Sequence, residues 1–140
     1  MESQERIIGS LDLENGLIVY FIDRTTPPVA GRRQVRLRIW VPVQPIEDHF
    51  SNHPNPSQAL SRFISLSGPG PVGFEAVKER NFISQENVEK SLNEIKDDFI
   101  RTNLEYLKNP RFAAKFIARK YEELNEKAAA RGYFDGAGRR

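Results

Sequence analysis

The stretch "QVRLRIWVPV" (residues 34–43) alternates strictly between two kinds of side chain. Val35, Leu37, Ile39, Val41 and Val43 fall on one side, and Gln34, Arg36, Arg38 and Trp40 on the other. A period of two marks an extended strand, whose successive side chains point to opposite faces. One face goes to a core; the other presents two arginines and the chain's only tryptophan. Pro42 has no N–H for a ladder, so it is expected at the strand's end or on an edge.

Two more strands precede this one. "ERIIGSLDL" (5–13) places Ile7, Leu11 and Leu13 on one face. Asn15-Gly16 then signals a hairpin, with two registers open. A two-residue turn pairs Leu13 with Ile18; a three-residue loop with Gly16 left-handed pairs Leu13 with Leu17. "LIVYFIDR" (17–24) is apolar on both faces. It reads as a central strand covered on both sides or as part of an oligomer contact.

"TTPPVAGRR" (25–33) is a connector, and residues 44–58 read as a long polar loop containing three prolines. "SQALSRFISLSG" (57–68) has Leu60, Phe63 and Ile64 at helical spacing. In "VGFEAVKERNFI" (72–83), Val72, Phe74 and Ala76 alternate as a fourth strand.

Helical character begins at Ser84, a good N-cap, with Glu86 in the first turn. Val88, Leu92, Ile95 and Phe99 then follow helical spacing. Asn109-Pro110 marks a break and a new start. Ala113, Ile117, Tyr121, Leu124 and Ala128, widened by Phe112 and Phe116, line the last helix, which Gly132 is expected to end. Strands cluster first and helices last. The expected class is α+β, an antiparallel sheet of about four strands with a C-terminal helical hairpin packed on one face. The expected limits are one domain over 1–132 and a flexible tail over 133–140.

The 140 residues suit one domain, and 39% hydrophobic with 29% charged content describes a soluble globular chain. With no cysteine, disulfides and thiolate chemistry are excluded. No apolar run is long enough for a membrane span, and the charged N-terminus lacks a signal-peptide core. The chain reads as cytoplasmic, soluble and complete, with no membrane partner. A net charge of +2 argues only weakly for a polyanionic partner.

Several motifs invite chemistry. "GPGPVG" (68–73) matches G-x-G-x-x-G, but Pro69 and Pro71 remove N–H donors and a strand follows, so it reads as a rigid turn. "EDHFSNH" (47–53) holds both histidines beside Glu47 and Asp48. Flanked by Pro45 and Pro54, it reads as a solvated loop rather than a helical zinc pair, and no metal or other cofactor is expected.

"LENGLIVYFIDR" resembles the leading strand of pitrilysin-type zinc peptidases, whose His-x-x-Glu-His helix this sequence lacks. "NGLIVYFIDR", "VAGRRQVRLRIWVPV", "KERNFI" and "YLKNPRFAAKFIARKYEEL" are, in that order, similar to a group of small uncharacterised bacterial proteins. That resemblance spans most of the chain and supports its domain limits; it transfers no activity or site residue.

Two basic surfaces remain. Arg32, Arg33, Arg36 and Arg38 lie in a stretch without acidic residues between Asp23 and Glu47, with Trp40 on the Arg36/Arg38 face. Arginines suit phosphates and a flat ring suits base stacking. The simpler account is a sheet face where arginine stems and tryptophan cover each other. Arg111, Lys115 and Arg119 follow one side of the last helix, where they oppose its dipole. Pairing with Asp97, Asp98 and Glu105 across the hairpin is the simpler account there.

No catalytic set stands out. The leading expectation is a non-catalytic binding or interaction domain, self-associating through the sheet or meeting a protein partner. Nucleic-acid binding through the Arg/Trp face and basic helix is the alternative. Third comes an enzyme whose site only the tertiary structure assembles.

Overall fold

The computed structural model describes residues 5–138, with side chains as far as Gly132. Along the chain run β1 (Arg6–Asp12), β2 (Ile18–Asp23), β3 (Arg32–Pro42), α1 (Pro56–Ser67), β4 (Gly73–Ser84), α2 (Val88–Leu107) and α3 (Phe112–Gly138). The class is α+β. The residues form two compact units: the chain up to Pro42 with Gly73–Pro110, and Val43–Val72 with the chain from Arg111 onward.

In the first unit the four strands form an antiparallel sheet in the order β1-β2-β3-β4. The doubly apolar β2 is an interior strand, paired along both edges. β3 ends at Pro42, where a missing N–H costs the ladder least. Its alternation holds: Val35, Leu37, Ile39 and Val41 are all fully buried.

The β1–β2 hairpin takes the three-residue register. Leu13 N–H donates to Leu17 O (2.8 Å), and Gly16 adopts a left-handed φ of 88°. The cause lies far along the chain. Asn15 Oδ1 accepts from Leu17 N–H, while its Nδ2 donates to the carbonyls of Leu107 (2.8 Å) and Asn109 (3.0 Å). The loop thereby satisfies the last carbonyl of α2, which the helix leaves orphaned, and one just beyond the helix.

β1 departs from the expected pattern. Ile7 pairs with Ile22 but Gly9 pairs with Phe21, so Ile8 is an extra residue in a bulge. The bulge turns Ile7 away from Leu11 and onto the outer face, where it is 63% exposed.

α2 packs Val88, Leu92, Ile95, Phe99 and Leu107 toward the inner face. Phe99 meets Phe21 edge-on, with ring centroids 6.4 Å apart. Ser84 is the last residue of β4 and does not cap a backbone N–H. Its Oγ accepts from Asn87 Nδ2, and a 3-10 turn over Gln85–Asn87 precedes α2.

The second unit joins α1, α3 and a 3-10 turn at Glu47–Phe50. The stretch expected to be a solvated loop thus supplies a core residue. Phe50 is buried and meets Phe63 of α1 at 5.9 Å and Tyr121 of α3 at 5.3 Å. Asn55 caps α1 by accepting from Gln58 N–H, with Pro56 in the first turn.

α3 starts at Phe112, later than Asn109-Pro110 suggests, with Arg111 O accepting from Lys115 N–H. It passes through Gly132 to Gly138 rather than ending there. Gly132 has no left-handed φ, so its cost to the helix is only the ordinary glycine penalty of about 1 kcal/mol. Residues 139–140 of the expected tail lie outside the described residues.

Candidate functional site

The outer face of the sheet carries the Arg/Trp strip. Tyr20, Trp40 and Glu75 form one row across β2, β3 and β4; Ile22, Arg38 and Val77 form the next; Arg36 stands opposite Glu79. Among the described residues of the first unit no helix packs over this face, because α2 lies against the other.

Arg36 and Arg38 are committed to glutamates on this face. Arg38 Nε donates to Glu75 Oε2 at 2.7 Å, and its guanidinium lies over the Trp40 ring at 4.6 Å. Arg36 Nε lies 3.5 Å from Glu79 Oε1 without making a hydrogen bond. Gln34 Nε2 donates to Glu79 Oε2 at 2.7 Å and to Asn81 Oδ1 at 3.0 Å. Partly exposed pairs of this kind contribute about 0–1 kcal/mol each, and the cation–π contact a similar amount. Their larger effect is on the field, since each arginine charge is cancelled locally. Arg38 and Trp40 thus cover each other, while Arg36 lies against Glu79.

The other two arginines of that stretch open the strand, Arg32 on this face by alternation and Arg33 not. Arg33 falls on the opposite face by alternation; its Nε donates to Thr26 O (2.7 Å) and its Nη1 to Gln85 Oε1 (3.2 Å). Arg32 is exposed at the strand's start. Arg111, Lys115 and Arg119 are exposed in the second unit. In the first unit Asp98 bridges Arg101 within α2, and Glu105 bridges Lys108 at its C-cap.

Glu75 and Glu79 were missed as site residues. Their signal was present, since β4 reads as a strand with glutamates alternating, but their partners depend on the β3–β4 register. Gly73 was also missed. A Cβ there would lie 2.4 Å from Val41 O and 2.9 Å from the Trp40 ring, so only glycine lets the strands close beneath the indole. Phe82 is a third case. It sits at a β4 bulge with φ 60°, left-handed for a non-glycine, and is 81% exposed.

At the inner edge of the sheet, Arg6 bridges Asp23 (3.0 Å) and Glu89 (2.7 Å). Burial works to raise the Asp23 carboxyl, but hydrogen bonds from Thr25 and Arg6 outweigh it and hold the group below its ordinary value.

In the second unit, His49 Nδ1 accepts from Ile46 N–H at 3.2 Å, while His49 N–H donates to Ile46 O. Burial pushes the His49 imidazole below its ordinary value, against the upward pull of Asp48. His53 meets Tyr121 at 5.4 Å, so the two histidines serve different contacts. Among the described residues no group of three or more His, Asp or Glu is placed to hold a metal ion, and no helix is long and apolar enough to cross a membrane.

Comparison with protein-family models, with curated proteins and with solved structures finds no match for this chain.

Proposed function

We propose that this chain is a non-catalytic interaction domain that self-associates through the outer face of its sheet. One observation carries the reading: that face combines the partly exposed Tyr20, Trp40 and Val77 and the exposed Ile7, around the buried Ile22, with Arg36 and Arg38 already paired with Glu79 and Glu75. An apolar face without net charge has little attraction for a polyanion, and a second copy offers the matching surface at no electrostatic cost. The absence of cysteine supports placing the protein in the cytoplasm.

Nucleic-acid binding is the alternative, and the exposed Lys115 and Arg119 favour it. It requires Arg36 and Arg38 to leave their glutamates for phosphates.

Trp40 reports on both. Emission that shifts to the blue with protein concentration, and that ignores oligonucleotides, is expected for self-association. Quenching by single-stranded or duplex oligonucleotides that falls steeply with added salt contradicts it in favour of the alternative.

A further inference from the structure

A groove of about 610 Å³ lies in the second unit between α1 and α3. Its lining includes His53, Gln58, Ser61, Arg62, Ser65 and Tyr121, and no carboxylate. Gln58, Ser61, Arg62 and Ser65 sit at i, i+3, i+4 and i+7, so one face of α1 presents an amide, two hydroxyls and a guanidinium together. Arg62 is held by a neutral partner: its Nε donates to Asn125 Oδ1 at 2.7 Å. Among the described residues no carboxylate pairs with it.

That arrangement orients the guanidinium while leaving its terminal N–H fork for another acceptor. A fork of this kind matches the two oxygens of a carboxylate or phosphate. Beside it, His53 and Tyr121 meet edge-on at 5.4 Å and offer an aromatic wall. An adjoining groove shares His53 and Tyr121 but carries Glu122 and Glu126, which repel anions. The charges thus sort an anion to the Arg62 side.

We propose that this groove binds a small organic oxyanion attached to a flat ring, the oxyanion on Arg62 and the hydroxyls of Ser61 and Ser65, the ring against His53 and Tyr121. The site is separate from the sheet face and does not depend on self-association.

Phenyl phosphate and benzoate are suitable probes, with anilinium as the cationic control. The ring protons of His53 report binding by NMR; with only two histidines, H49Q assigns them. Saturable shifts are expected with both anions and none with anilinium. R62A is expected to weaken phenyl phosphate binding about tenfold or more, the loss typical of a charge-assisted contact. N125A, which loosens Arg62 but keeps its charge, is expected to weaken it less. Three results overturn the proposal: no saturable shift with either anion, equal binding of anilinium, or wild-type affinity in both variants. Should R62A fail to fold, the anion preference of the wild type and the N125A loss decide the matter.

Discussion

Arg38 lies over the Trp40 ring and Arg62 lines one groove with His53 and Tyr121, and the molecule treats the two charges in opposite ways. Arg38 has a glutamate at 2.7 Å, an indole beneath its guanidinium, and a side chain only 18% exposed. Arg62 has an asparagine at the same distance and no carboxylate among the described residues. A charge cancelled by its own sheet suits an apolar contact surface; one steadied by a neutral amide remains available to a ligand. The partner's chemistry, rather than the arginine itself, separates the two surfaces.

The largest effect is expected from removing the packing beneath the groove. Phe63 is fully buried among Phe50 and Tyr121, and Phe63→Ala is expected to cost about 3–5 kcal/mol in urea unfolding. On the sheet side, Gly73→Ala forces a methyl group against Val41 O and the Trp40 ring. A loss of about 1–3 kcal/mol and altered Trp40 emission are expected, and an unchanged protein would mean that the close approach is not needed.

Phe82→Gly has the opposite sign. It relieves a left-handed backbone that costs a non-glycine residue about 1–2 kcal/mol, while giving up little packing from a largely exposed ring. Its melting temperature is expected to rise; a fall would mean that lost ring contacts and the extra freedom of glycine in the unfolded chain outweigh that relief.

The smallest effect is a pH dependence. Because folding holds His49 below its ordinary value, the unfolded chain takes up the proton first. The stability linked to this group is complete above about pH 6.5 and declines as pH falls below it. Asp23 is lowered too, but its contribution is lost only in the carboxylate range, well below that window. Unfolding followed between pH 7.5 and 5 should show the decline in the wild type and a flatter profile in His49→Gln.

The strands were legible because alternation depends only on neighbours in sequence. β3 and its buried row of Val35, Leu37, Ile39 and Val41 follow directly from residues 34–43. What escaped depends on partners far away. The hairpin register rests on Asn15 reaching Leu107 and Asn109. The neutrality of the arginine strip rests on which β4 residues lie opposite Arg36 and Arg38. Phe50 reaches its core from a turn too short to show a period, and Arg62 meets Asn125 across 63 positions. The bulge at Ile8 inverted Ile7 without any glycine or proline at the inserted residue to announce it.

Sedimentation equilibrium of the wild type beside Ile7→Glu decides whether the chain self-associates through its sheet face. Ile7 is largely exposed on that face, so the substitution adds charge there without emptying the core. The wild-type mass is expected to rise toward twice that of one chain between micromolar and millimolar concentration, with Ile7→Glu remaining at the single-chain mass. A wild type that stays monomeric throughout, or a variant that associates equally well, would contradict it.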